Sequence, residues 1–106
     1  MTKYGEMSKH TSSKSLSPSL AGILATTGSQ IKMARLRRKR PRAVVCAESG
    51  CSEQTLIRIE SGSPNVSMGA YLRVLETLGL QESLLLVAKD DPEGRELQDQ
   101  AMLKRK

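Results

Sequence analysis

The stretch RAVVCAESGCSEQTLIRIESG, residues 42–62, decides how this chain folds. It divides at a single glycine into two short segments of helical character. Pro41 stops whatever precedes it and opens a helix over 42–49. Gly50 tolerates positive φ and so suits the position just past a helix end. Ser52 is a good N-cap and Glu53 complements the helix dipole, which predicts a second helix over 53–61, closed by Gly62. Within it Leu56 and Ile59 fall three apart on one face, while Gln54 and Arg58 fall four apart on another.

Two short helices joined by Gly50-Cys51-Ser52 fit a helix-turn-helix. The first helix must lie close against the second, and Ala43, Cys46 and Ala47 are expected to supply that small surface. Cys51 is expected to point inward as a plug, with Val45, Leu56 and Ile59 completing the core of the unit.

Outward from this unit, the chain reads as further short helices. Upstream, Ile31, Ala34 and Leu36 form a loose helical stripe. Gly28 reads as a possible break, so a helix is placed over 26–39 with order beginning near Leu20. Residues 1–19 lack apolar periodicity and read as a disordered N-terminal tail. Downstream, Ser67 caps a helix whose buried stripe is expected to be Tyr71, Leu72, Leu75 and Leu78, ended by Gly79. QESLLLVA, residues 81–88, is short and very apolar, and Asp90, Asp91 and Pro92 stop it. Residues 90–106 form a charged C-terminal tail, either disordered or weakly helical. The helix-turn-helix domain therefore spans 20–89, and five short helices make it all-α.

Composition agrees. The chain has 106 residues, no Phe, no Trp and two Tyr, so a single domain must be built on an aliphatic core. The net charge of +6 is uneven. Residues 32–42, KMARLRRKRPR, hold seven positive side chains in eleven positions. Such asymmetry points to a polyanionic partner, nucleic acid or an anionic membrane. No run approaches the ~20 apolar residues of a membrane span. The basic, Ser-rich N-terminus has no apolar signal core, so export is not expected. Two cysteines and one histidine, His10, are too few for a zinc site, which takes about four ligands. Cys46 and Cys51 read as small buried hydrophobes rather than a redox pair, and such sparse usage suits a reducing cytoplasm. No nucleophile–base pair, Gly-rich phosphate loop or metal set occurs, so neither an enzyme nor a cofactor is expected.

On this reading the helix over 53–61 enters the major groove of double-stranded DNA. Gln54 can pair bidentately with adenine, Arg58 with guanine, and Glu53 can accept from cytosine. Thr55 touches a thymine methyl or a phosphate, or is part-buried. Ser52 and Arg42, at helix N-termini, suit phosphate contact. The bland alternative is that Gln54, Thr55 and Arg58 form a solvated face. By helical spacing Lys32, Arg38, Lys39 and Arg42 can flank the backbone, while Arg37 and Arg40 are unassigned.

SQIKMARLRRKRPRAVVCAESGCSEQTLIRIESG, residues 29–62, resembles the Cro/repressor class of helix-turn-helix domains, the Xre family, over about residues 26–88. The matching residues are Ile31, Ala34-Arg35, Ala43, Val45, Cys46, Gly50, Cys51, Ser52, Thr55, Leu56, Ile59-Glu60 and Gly62. The resemblance implies a five-helix lambda-repressor-like DNA-binding domain acting as a sequence-specific repressor. It places base contacts on Glu53, Gln54 and Arg58, and phosphate contacts on Ser61, Ser63 and Asn65. Arg42 stands where the family usually has a phosphate-contacting Gln. It also implies an internal ion pair between Arg35 and Glu60.

VSMGAYLRVLETLGLQESLLLVAKDDPEGRELQD, residues 66–99, resembles the narrower HipB-type antitoxins. That likeness rests on Ser67, Gly69, Tyr71 to Leu75, Leu78 to Leu80 and the DPEGRELQD segment. It implies a protein that represses its own operon and holds a HipA-type serine/threonine kinase toxin; the alternatives are a stand-alone (phage-type or metabolic) Xre regulator without a toxin, or a protein-interaction inhibitor with vestigial DNA binding. A homodimer is expected, since such domains bind paired half-sites. Leu80, Leu84, Leu85 and Val87 are either its dimer face or the closure of the monomer core.

Overall fold

The computed structural model describes residues 15–104. Among the described residues it is all-α, with five α-helices and one short 3-10 helix: α1 Pro18–Arg37, α2 Arg42–Ser49, α3 Glu53–Ser61, α4 Met68–Thr77, the 3-10 helix Gln81–Leu86, and α5 Pro92–Lys104. The boundaries of α2 and α3 are those expected. Ser52 caps α3 by accepting the Thr55 N–H at 3.0 Å. Gly50 takes φ 73°, the left-handed region that a side chain enters at a cost, and turns the chain from α2 into α3.

α1 is longer than expected. It starts at Pro18, inside the stretch expected to be tail, because Ser17 accepts the Leu20 N–H at 3.3 Å and proline occupies the first turn. The rest of that expected tail, residues 1–14, lies outside the described residues. Gly28 does not break α1; it is buried where α1 crosses the C-terminal end of α3. A Cβ at Gly28 would lie 2.5 Å from the Ile59 carbonyl oxygen and 2.6 Å from the Gly62 nitrogen. One at Gly62 would lie 2.5 Å from the Leu24 carbonyl oxygen. The two glycines let the backbones of α1 and α3 approach without side chains between them.

The core is aliphatic. Ile31 and Ala34 of α1, Val45 and Cys46 of α2, Leu56 and Ile59 of α3, and Ala70, Val74 and Leu78 beyond them form one buried cluster. Leu56, Ile59, Val45 and Val74 have no exposed surface, and each such burial is worth about 1.5–3 kcal/mol. Several expected core positions differ. Ala43 and Ala47 face solvent, and α2 buries Val45, Cys46 and Ser49 instead. At about 100° per residue those alanines fall on the opposite side of α2 from Val45 and Ser49. Leu72 is likewise exposed, because the buried stripe of α4 runs through Ala70, Val74 and Leu78, with Tyr71 and Leu75 at its edge. Leu36 also lies on the outside of α1.

Beyond α4 the chain packs less. The segment expected as an α-helix is a 3-10 turn in which Leu80 packs against the core and Leu84 is half-buried, while Leu85, Leu86 and Val87 stand exposed. The charged tail is helical over Pro92–Lys104. Asp91 and Pro92 begin this helix rather than merely stopping the one before, the Asp91 carboxylate accepting the Gly94 N–H at 3.0 Å. No residue of α5 is buried. Among the described residues no helix is long and apolar enough to cross a membrane.

Candidate nucleic-acid interface

α3 presents two different faces. Leu56, Ile59 and Glu60 are buried, and Glu53, Gln54, Ile57, Arg58 and Ser61 are exposed. Apolar anchoring therefore holds the helix from one side and leaves its polar edge outward. Gln54 and Arg58, one turn apart, both lie on that outer side. Glu53 sits in the first turn, where its charge suits the helix dipole.

The N-terminus of α3 is organised by Ser52. Its hydroxyl caps the helix and donates to Thr55 Oγ1 at 2.9 Å, which holds the half-buried Thr55 side chain in place. At the other end the Ser61 hydroxyl turns back on its own helix, donating to the Arg58 carbonyl at 2.9 Å. Ser63 Oγ accepts the Asn65 N–H at 3.1 Å, and the Tyr71 hydroxyl donates to the Ser63 carbonyl at 2.7 Å. That bond pins the loop to α4, and burial raises the Tyr71 hydroxyl above its ordinary pKa.

One open depression gathers part of the expected set. Ser52, Thr55, Arg58 and Asn65 line it together with Gly50 and Cys51. Arg73 of α4 also lines it and is not among the expected DNA contacts. Its Nε donates to the Ser49 carbonyl at 3.2 Å, tying α4 to the end of α2. Only the placement of α4 across the turn brings Arg73 there, which no local sequence signal encodes. Glu53, Gln54, Arg38, Lys39, Arg42, Ser61 and Ser63 do not line this depression.

The basic run divides between interior and surface. Arg35 is buried and paired with buried Glu60, Nε to Oε2 at 2.6 Å and Nη2 to Oε1 at 3.2 Å, as the family resemblance implies. Its Nη1 donates to the Arg40 carbonyl at 3.0 Å. Arg42 is half-exposed at the start of α2, and its Nε lies 3.3 Å from the second Glu60 oxygen. Arg42 thus shares Glu60 as well as pointing outward. Arg40 pairs with Glu48 and donates to the Thr77 carbonyl at 3.0 Å, so it fastens the α1–α2 link to α4. Lys32, Arg37, Arg38 and Lys39 remain exposed. Arg38 caps α1 by donating to the Ala34 carbonyl at 2.9 Å, and Lys39 takes the left-handed conformation, φ 53°, at the reversal into α2.

No curated protein matches this chain. A helix-turn-helix domain family matches residues 27–86, from the middle of α1 to the end of the 3-10 helix. That span is more than half of the chain and includes the whole of the α2–turn–α3 unit, and the chain belongs to that helix-turn-helix family.

Proposed function

We propose that the protein is a sequence-specific, DNA-binding transcriptional repressor that reads duplex operator DNA through α3. The observation that carries this is the division of α3 into an anchored apolar face and an exposed edge bearing Gln54 and Arg58. An α-helix fits the major groove, where Gln pairs with adenine N6/N7 and Arg with guanine O6/N7. Glu53 accepts from cytosine N4 or acts on the dipole alone. Ser52, Thr55, Arg42, Ser61, Ser63, Asn65, Arg38 and Lys39 meet phosphates along the flanks and set the register. The test is a gel shift on the DNA upstream of the gene. Wild type should bind, and Gln54→Ala and Arg58→Ala should each lose affinity while remaining folded. If both variants bind as wild type does, α3 does not read bases.

One α3 reads few bases, and a two-fold dimer on half-sites about one helical turn apart supplies the rest. The exposed Leu85 and Val87 are the candidate face for it. The finer reading is that the repressor is the antitoxin of a HipA-type kinase and controls its own operon from the cytoplasm. The likeness of residues 66–99 to such antitoxins supports it, as does a C-terminal segment with exposed apolar side chains and no buried residue in α5. Co-expression with a neighbouring kinase and co-elution in size-exclusion chromatography test it. Absence of co-elution leaves a stand-alone regulator.

A further inference from the structure

Both cysteines of the chain lie where α2 passes into α3, Cys46 within the last turn and a half of α2 and Cys51 just past Gly50. The N–H groups of Gly50 and Cys51 both donate to the Cys46 carbonyl, at 2.9 and 3.2 Å. In a glycine-turned helix end of this type, the residue two past the last turn meets the one three before it across the cap. Here those residues are Cys51 and Cys46, joined by that backbone bond, and Cys51 packs against the core cluster that contains Cys46; a disulfide between them needs Cα atoms roughly 4.4–6.8 Å apart. Both thiols are free.

Their surroundings differ. Cys46 is buried, and Cys51 is half-buried with its sulfur 3.2 Å from the Ser49 hydroxyl. Cys51 also lines the open depression that Arg58 and Arg73 share. A reagent arriving from solvent therefore meets Cys51 first. Burial, followed by the charge and hydrogen bond of Cys51, pushes the Cys46 thiol up to about 11. Cys46 is a poor first nucleophile for both reasons.

We propose that Cys46 and Cys51 form a dithiol modification site, closed to an intramolecular disulfide by an anionic low-molecular-weight disulfide of the oxidised-glutathione type. In the first step the Cys51 thiolate attacks one sulfur of the reagent. The reagent's S–S bond breaks, one thiolate leaves and takes up a proton, and Cys51 carries a mixed disulfide. In the second step Cys46 gives its proton to water and attacks the Cys51 sulfur. The second reagent thiolate leaves and is protonated. Two protein thiols are oxidised by two electrons and one external disulfide is reduced to two thiols. Arg58 and Arg73, on the same depression, favour the carboxylates of the reagent. Closure ties the end of α2 covalently to the residue before the α3 cap and clears the adduct from beside Thr55.

The test treats the full, folded chain with oxidised glutathione and reads intact mass. Wild type should end at the mass of the reduced chain less two hydrogens, and dithiothreitol should restore it. Cys46→Ala should stop at one glutathionyl adduct, and Cys51→Ala should take up none. Peptide mapping of the wild-type intermediate should place the adduct on Cys51, which gives the assignment without any substitution. A wild type that halts at the adduct, that joins into covalent dimers, that carries the adduct on Cys46, or that reacts only in denaturant overturns the proposal.

Discussion

Gly28 and Gly62 face each other where α1 crosses the end of α3, and each fills its place only because it lacks a Cβ. The atoms a methyl group would meet are backbone atoms, which cannot swing aside. Gly28→Ala is therefore expected to push α1 off α3 and to destabilise by about 1–3 kcal/mol, with Gly62→Ala worse because φ 79° adds strain. Gly22→Ala, on the same helix with nothing within 4 Å, should leave stability unchanged or slightly raised. Denaturant unfolding of the three variants checks this ordering. The Arg35–Glu60 pair is the other residue-scale determinant. Glu60→Ala strands a buried guanidinium and should destabilise by about 3–5 kcal/mol. Arg42→Ala, which removes only the half-exposed member, should change stability by no more than about 1 kcal/mol. Equal losses in the two melting curves would mean that Arg42, not Arg35, holds Glu60.

At the scale of elements, α3 is a rod whose inner and outer sides have separate tasks. Gln54 and Arg58 make no hydrogen bond within the protein by their side chains among the described residues, so truncating either should leave the melting curve in place. Each truncation should weaken operator binding by about 1–3 kcal/mol, read by gel shift, and relax preference at one base pair. That α3 was legible in the sequence follows from its ends: Ser52, Glu53 and Gly62 carry chemistry that only a helix boundary uses, and Leu56 and Ile59 fix its inner side. The extent of α1 is not legible in the same way, because Gly28 has two meanings, a weak point in a helix or a close crossing, and only the tertiary contact with Ile59 and Gly62 chooses between them. Ser17-Pro18 and Asp91-Pro92 carry the same cap-then-proline signal, and both begin helices in stretches that polar composition suggested were tails. The outward face of the candidate site was legible from spacing. That Arg40 is spent on Glu48 and Thr77, that Arg42 shares Glu60, and that Arg73 reaches the turn were not, since each depends on an element distant in sequence.

At the scale of the molecule, charge and packing separate the chain into a basic, cored body and a projecting end. With Arg35 buried and Arg40 paired with Glu48, the charge free to meet phosphates falls on fewer residues than the run of seven suggests. Operator binding should still weaken steeply with salt, with a slope near −0.9 per phosphate met, and Lys39→Ala should flatten that slope by about one contact in a salt titration. The end beyond Lys89 behaves differently. Residues 90–106 carry five acidic and four basic side chains and bury none of those described, so they add neither core nor net attraction for DNA. A chain ending at Lys89 should therefore unfold within about 0.5 kcal/mol of the full chain and bind operator with the same salt slope. If a kinase partner is held through α5, the shortened chain should lose that partner while keeping DNA. A fall in stability on shortening would instead mean that α5 docks on the body, since helix propensity alone, in a helix of this length, supplies almost nothing to a fold it does not touch.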